Sequence, residues 1–191
     1  MTTARLETFS DGVFAIAITL LVLEIQVPEE PTLHALGDLW SSYLAYAVSF
    51  LLIGLVWANH HSMFDHIERA DRGLLFLNTL LLLDVAFIPF STGVMAQTLR
   101  TGEHEPLGAA LYGAVIAVGG IPFNLIWWWA RRERLLGATI SDDEAAALAR
   151  RFWLGPALYA AGAVLALAVP YAAIALYAAL IVFYWLEPVR R

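Results

Sequence analysis

Long apolar runs restrict the fold of this chain more than any other feature of its sequence. Six stretches of mainly apolar residues follow one another with short polar segments between them, and residues 12–23 in the first carry no charge. A membrane-spanning helix needs about 20 such residues. The pattern therefore predicts an all-α integral membrane protein with a single domain, residues 1–191. We place its six transmembrane helices at about residues 7–27, 39–64, 74–96, 107–130, 152–169 and 172–186.

The composition supports a membrane protein and excludes several classes of site. Hydrophobic residues make up 60% of the chain and charged residues 15%, whereas soluble domains average about 25% charged residues. The absence of cysteine excludes disulfides and thiolate metal sites, and the absence of lysine excludes a Schiff base. A formal net charge of −6 argues against nucleic acid as a partner. We expect the lipid bilayer as a partner, no cofactor and no enzymatic activity.

The arginines predict the orientation of the chain. Cytoplasmic loops of membrane proteins are enriched in Lys and Arg. With six spans, the N-terminus, the loops at 65–72 and 131–151 and the C-terminus lie on one side. These segments hold every arginine except Arg100. Both termini are therefore expected in the cytoplasm.

Two local signals predict features near the C-terminus. Pro170-Tyr171 divides the last two apolar runs, and proline disfavours helix for the residue before it, so we expect a tight helical hairpin there. Ser141 and Glu144 have the spacing of a capping box, in which a serine caps a helix and a glutamate three residues later bonds back. Residues 140–149 are thus expected to form a short surface helix.

Polar side chains near the cytoplasmic ends of the first two spans form the first candidate site, because polar groups are costly in hydrocarbon and often functional. The polar residues are Arg5, Ser10 and Asp11 on the first span and His60 and His61 on the second, and the aromatic residues Phe9 and Trp57 accompany them. We expect at least one imidazole to hydrogen-bond to the first group and lock the two helices together. Simple helix capping by Ser10 or Asp11, and histidines that face interfacial water, are the alternatives.

Two further interpretations remain open. His61 and Asp65 have the i, i+4 spacing of metal ligands, so an intramembrane metalloenzyme would use them with His60 and His66. Asp84 lies roughly 17 Å into the third span. It would be either the proton-carrying group of a proton-coupled secondary transporter or a neutral acid hydrogen-bonded between helices. Asn78 and Asn124 are expected to form interhelical hydrogen bonds.

The N-terminal motifs resemble those of the transmembrane protein 175 family, whose founding animal members are endolysosomal potassium channels. Arg5 is followed after three residues by Phe9-Ser10-Asp11-Gly12, and the apolar run continues from there. Residues 57–64 (WANHHSMF) resemble the second helix of that family, and residues 78–90 resemble its third. The resemblance is strong over residues 5–92 and only topological afterwards. Six spans match its single-repeat bacterial form.

The resemblance implies a potassium-selective homotetrameric channel of the bacterial inner membrane, with the first helix of every subunit lining one central pore. The apolar constriction of the family falls on Ile16, Leu20 and Leu23. Ile16 and Leu20 would form the hydrophobic gate, with Leu23 as a further apolar ring. The hydroxyl-bearing pore positions fall on Ala15 and Thr19, so Thr19 is the expected polar contact for potassium ions passing through. Arg5, Phe9, Ser10, Asp11, Trp57, His60 and His61 would brace the pore helix.

The residues themselves are compatible with that assignment. Ile16, Leu20 and Leu23 follow the spacing i, i+4, i+7 and share one helical face. Without the resemblance, such a stripe more often packs against other helices or lipid. The sequence has no segment like the TVGYG carbonyl filter of other potassium channels. Selectivity would therefore depend on pore width and on Thr19.

Overall fold

The computed structural model describes residues 3–138 and 140–186, and this part of the chain is helical and contains no β-strand. A 3₁₀ turn, Leu21–Glu24, continues the first helix. The α-helices are α1 Ala4–Leu20, α2 Leu33–Gly37, α3 Trp40–Phe64, α4 Arg72–Thr101, α5 Glu105–Arg132, α6 Asp142–Phe152, α7 Leu154–Ala166 and α8 Pro170–Leu186.

Four segments of the described chain are long and apolar enough to cross a membrane. They are Ala4–Glu24, Leu33–Phe64, Arg72–Thr101 and Glu105–Arg132. They match the first four predicted spans, and the chain is a multi-pass membrane protein. The last two predicted spans correspond to α7, with 13 residues, and α8, with 17. At about 1.5 Å per residue these helices are shorter than a bilayer core of about 30 Å, so the count of six spans stays a prediction.

The first span ends earlier than expected. The sequence predicts residues 7–27, but the helical part begins at Ala4 and ends with the 3₁₀ turn at Glu24. Ile25 is extended, with φ −86° and ψ 98°. Pro28 explains why Val27 is not helical, because a proline pushes the residue before it towards extended backbone.

Both C-terminal signals correspond to observed structure. Pro170 is the first residue of α8, where a proline without an N–H group is well tolerated, and α7 ends four residues before it. Ser141 and Glu144 form the predicted capping box at the start of α6, which runs to Phe152 rather than to residue 149. Arg190 and Arg191, which contributed to the predicted orientation, lie outside the described residues.

The loop with Arg69 and the loop with Arg134 lie together at one end of the molecule, which we call the arginine-rich end. The Arg69 guanidinium donates to the Arg134 carbonyl at 3.0 Å, and an isolated antiparallel bridge joins Ile67 to Leu136. At the same end the Trp129 indole donates to the Asp71 carboxylate, which also caps α4. The loops before α4 and after α5 are therefore fastened to each other.

α4 packs against α1, α3 and α5, and α5 in turn packs against α7 and α8. One apolar core lies towards the arginine-rich end and includes Phe14, Leu74 and Trp127. A second core lies towards the opposite end, where the rings of Tyr112 and Tyr159 each pack against Tyr177. The buried face of α1 belongs to the first core, and this fixes which face of the helix remains exposed.

Candidate ion pathway and the contacts of α1

α1 has two apolar faces with opposite exposure. Phe14 and Ala17 are each 2% exposed, and Leu21 in the 3₁₀ turn is fully buried. Ile16 is 61% exposed, Leu20 41% and Leu23 72%. The first face packs within the chain, so only the second is available to lipid or to another copy. We call this second face the exposed stripe; it comprises Ile16, Thr19, Leu20 and Leu23.

The hydroxyl of Thr19 lies in the exposed stripe. Its Oγ1 donates a hydrogen bond to the Ile16 carbonyl one turn earlier, at 2.8 Å. A hydroxyl has one donor and two acceptor lone pairs. The hydrogen is therefore engaged with the helix, and the lone pairs remain available to a cation.

A buried relay of hydrogen bonds joins α1, α4 and α3 near the arginine-rich end. The amide of Asn78 donates from Nδ2 to Ser10 Oγ at 2.9 Å, and its Oδ1 lies 2.9 Å from His60 Nε2. Ser10 in turn donates to the Leu6 carbonyl at 2.9 Å. Since the amide oxygen only accepts, the relay assigns the hydrogen to Nε2 of His60.

The relay corrects one expectation about the histidines. A direct hydrogen bond from an imidazole to Arg5, Ser10 or Asp11 was expected, but the described structure has Asn78 between His60 and Ser10. The expectation that Asn78 forms interhelical hydrogen bonds is confirmed. Asn124 likewise bonds across helices, to the Phe152 carbonyl at 3.2 Å.

A second contact fastens α1 to α3 at the surface. The Trp57 indole donates to the Asp11 carboxylate at 2.8 Å, and its ring stacks on His61 with centroids 6.0 Å apart. Arg5 and Phe9 are exposed on the same part of α1. Of the seven predicted bracing residues, Ser10, Asp11, Trp57 and His60 thus form hydrogen bonds between helices, and the His61 ring stacks on Trp57 of its own helix.

His60 and His66, two of the residues in the metalloenzyme interpretation, contact different side chains. His60 is bonded to Asn78, with its ring stacked on Phe64, and His66 packs edge-on against Trp127. Among residues 3–138 and 140–186, no group of three or more His, Cys, Asp or Glu is arranged to hold a metal ion.

Asn78 is the residue that sequence reasoning undervalued. It was expected to act as an interhelical contact but was not included with the bracing residues, although it is the only member of the relay bonded to both other helices. An available signal was its depth: Asn78 lies six residues after the start of α4 at Arg72, and His60 lies four residues before the end of α3 at Phe64. Because α3 and α4 are antiparallel neighbours, the two side chains occur at similar depth.

Comparison with known proteins gives the family. The profile described as endosomal/lysosomal potassium channel TMEM175 matches residues 5–89. A potassium channel of Streptomyces collinus is 46% identical over 156 residues, which cover 79% of this chain and 76% of that protein. The chain belongs to the TMEM175 family. A potassium channel of Chamaesiphon minutus is also 40% identical over 82% of this chain and 80% of its own length.

The family likeness extends beyond the N-terminal motifs. The crystal structure of a lysosomal potassium-selective channel TMEM175 homolog from Chamaesiphon minutus superimposes with a TM-score of 0.85, at 35% identity and 96% coverage of both chains. The resemblance inferred from residues 5–92 is therefore confirmed, and it continues through α5 to α8, where the sequence motifs gave only a topological match. TMEM175 is a family of ion channels rather than of enzymes.

Proposed function

We propose that this protein is a potassium-selective channel of the bacterial inner membrane, in which four copies of α1 surround a central pore. The observation that carries the proposal is the exposed stripe on α1 of a TMEM175 chain. The relatives from Streptomyces collinus and Chamaesiphon minutus are named potassium channels. Potassium ions, the lipid bilayer and three further copies of the chain are its partners, and both termini are cytoplasmic.

The hydrophobic gate in this proposal consists of Ile16 and Leu20, with Leu23 as a further apolar ring. Four copies of each side chain would enclose a narrow apolar segment. Such constrictions close a pore by dewetting, because a hydrated ion is not solvated by hydrocarbon side chains. The large exposed fractions of these residues in the single chain support this role, since the folded protomer leaves them unpacked.

Thr19 supplies the polar contact within the apolar segment. Its lone pairs would face the axis between the rings of Ile16 and Leu23 and replace part of the hydration shell of the ion. The hydroxyl hydrogen is held by the Ile16 carbonyl, so it does not point at the cation. Selectivity for potassium then depends on pore width and on one ring of hydroxyl oxygens.

The bracing residues hold the pore helix at a fixed angle and depth. Ser10, Asn78 and His60 form the buried relay, while Asp11 and Trp57 form the surface contact. All of these lie on the arginine-rich side of the gate. Arg5, Phe9 and His61 complete this group, because they are exposed on the same surfaces of α1 and α3 where neighbouring copies would meet.

Potassium flux into liposomes tests the proposal. The wild-type protein is expected to conduct potassium passively, and Ile16→Asn is expected to conduct faster because a polar ring wets the gate. A barrier lowered by about 1.4 kcal/mol would raise the flux roughly tenfold. Val164→Asn is the matched control, because Val164 is an exposed apolar residue of α7. Absent wild-type flux, or Ile16→Asn flux equal to that of the wild type, would contradict the proposal.

A proton-coupled secondary transporter that uses Asp84 is the alternative. The observation in its favour is a carboxyl in the middle of α4, half-buried against α5. The same liposomes distinguish the two functions. A channel carries potassium along its own gradient without a pH gradient, whereas a transporter of this kind requires the pH gradient and loses uptake in Asp84→Asn.

A further inference from the structure

Asp84 is isolated among apolar residues in the middle of α4. It is the only charged residue between Arg72 and Arg100. Counted from Arg72, it lies about 18 Å along the helix, at 1.5 Å per residue. Among residues 3–138 and 140–186, no hydrogen bond or ion pair involves its carboxyl group. An unpaired carboxylate at this depth is costly, because hydrocarbon does not solvate its charge.

Gly119 of α5 makes the space that the Asp84 carboxyl occupies. A Cβ atom built on Gly119 would overlap the Oδ2 atom of Asp84. The neighbouring residues of α5 carry no charge, since none occurs between Glu105 and Arg131. The carboxyl therefore packs directly on the backbone of α5, and a larger residue at position 119 would displace it.

His60 on α3 and Tyr112 on α5 are titratable groups of helices that pack against α4. Both lie away from Asp84 and have hydrogen-bond partners. On α3, His60 is bonded to Asn78, which precedes Asp84 by six residues or about 9 Å along α4. On α5, Tyr112 shares a hydrogen bond with Ser49 and lies about 10 Å along the helix from Gly119. Each group occupies a different level of the bundle from Asp84.

α1 and its 3₁₀ turn contribute acids only near the two ends of the bundle. Glu7 and Asp11 belong to the arginine-rich end, where Asp11 is bonded to Trp57. Glu24 contacts Gly93, which follows Asp84 by nine residues or about 13 Å. The described groups thus provide no countercharge at the level of Asp84.

We infer that Asp84 is a protonated carboxylic acid at the α4–α5 contact and a site of covalent modification by apolar carbodiimides. The side chain is only half-buried, so a reagent dissolved in the bilayer reaches it. A charged reagent in water does not. This inference is independent of the proposed channel, because neither the exposed stripe nor the bracing residues take part in it.

The chemistry requires the acid form of the side chain. The carboxyl proton moves to one nitrogen of the carbodiimide, and a carboxyl oxygen bonds to the central carbon, giving an O-acylisourea. The acyl group then migrates from that oxygen to a nitrogen: one acyl C–O bond breaks and one C–N bond forms. The product is a stable N-acylurea that contains the whole reagent, so no leaving group or oxidant is needed.

Labelling followed by peptide mass spectrometry tests the inference. The full protein in liposomes is treated with dicyclohexylcarbodiimide or with a cationic water-soluble carbodiimide. We expect the apolar reagent to add once at Asp84 and not at all at position 84 of Asp84→Asn, whereas the cationic reagent reaches Asp142 and Asp143, which are exposed on α6. An unlabelled Asp84, or equal labelling of Asp84 by the cationic reagent, would overturn the inference.

A double-mutant cycle tests the contact with Gly119 without any labelling. Gly119→Ala is expected to lower the unfolding temperature of the wild type but to have a much smaller effect in Asp84→Ala, which has no carboxyl to displace. Gly155→Ala is the control, since a Cβ at Gly155 meets its nearest described neighbour, Tyr184, at an ordinary 3.8 Å. Equal losses from Gly119→Ala in both backgrounds would show that the carboxyl does not occupy the Gly119 space.

Discussion

The two faces of α1 have similar composition but different surroundings. Phe14, Ala17 and Leu21 are buried by α3 and α4, whereas Ile16, Leu20 and Leu23 contact little within the chain. Hydrophobicity alone does not distinguish these faces, because both consist mainly of apolar side chains, with Thr19 as the polar member of the exposed stripe. One face therefore stabilises the protomer, and the other remains available for contacts between protomers.

The largest expected effect on stability comes from Phe14→Ala, which replaces a ring on the buried face of α1 by a methyl group. Phe14→Ala removes a side chain that packs in the core and against the His60 ring at 5.5 Å. We expect a loss of about 3 kcal/mol, because the cavity left behind is only partly filled. Ile16→Ala is the matched variant on the exposed stripe and is expected to change the stability of the protomer far less.

Thermal unfolding in detergent measures both variants, and potassium flux in liposomes gives a second readout. The comparison predicts opposite patterns: Phe14→Ala loses stability, whereas Ile16→Ala alters flux. If both variants destabilise the protomer to the same extent, the two faces of α1 are not functionally separate.

A smaller loss is expected from breaking the relay between the helices. Asn78→Leu leaves the buried Ser10 and His60 without their shared partner, at a cost of about 2 kcal/mol. It also removes the hydrogen bond between α4 and α1, so the flux should change together with stability if α1 lines the pore. Asn124→Leu is the control, because Asn124 bonds to the Phe152 carbonyl and not to α1. Altered stability without altered flux in Asn78→Leu would argue against a bracing role.

The smallest expected effect on stability comes from the capping box at the start of α6, which is not part of either face of α1. Hydrogen bonds from the Ser141 hydroxyl at 2.7 Å and its backbone N–H at 3.0 Å hold the pKa of the Glu144 carboxyl below its usual value. Because the folded pKa is the lower one, the stabilisation is present above the unfolded pKa of about 4.3. It is lost as the pH falls through the folded value.

Ser141→Ala should therefore be less stable than the wild type at neutral pH, and this difference should shrink below about pH 4. Unfolding curves recorded over that pH range measure the effect, and potassium flux at neutral pH should be unchanged. A difference in stability that is constant with pH would contradict the capping-box account.

The sequence predicted the fold where a single local signal was sufficient. Apolar length located the first four spans, Pro170 located the break before α8, and Ser141 with Glu144 located α6. The first span was predicted to reach Val27, three residues beyond the end of the 3₁₀ turn at Glu24. Apolar character continues to Val27, but Pro28 disfavours helix at that residue. The lengths of α7 and α8 also differ from the apolar runs, since helix ends depend on packing against neighbours.

The candidate site was predicted less completely, because its contacts link distant parts of the chain. The sequence placed Ser10, Asp11, Trp57 and His60 near one membrane surface, but spacing along a helix does not say which side chains meet across helices. The central position of Asn78 emerges only when α1, α3 and α4 are packed together. The exposure of Ile16, Leu20 and Leu23 likewise depends on which face of α1 the bundle covers.

Disulfide formation between copies of the chain tests the central claim most directly. The protein has no native cysteine, so Ile16→Cys introduces a single thiol, and Val164→Cys provides an exposed control on α7. A disulfide requires Cβ atoms about 3.5–4.5 Å apart. If four copies of α1 enclose a narrow pore, oxidation in native membranes gives covalent dimers for Ile16→Cys and not for Val164→Cys. If Ile16→Cys stays monomeric under the same conditions, its side chain faces lipid, and the pore assigned to α1 does not exist.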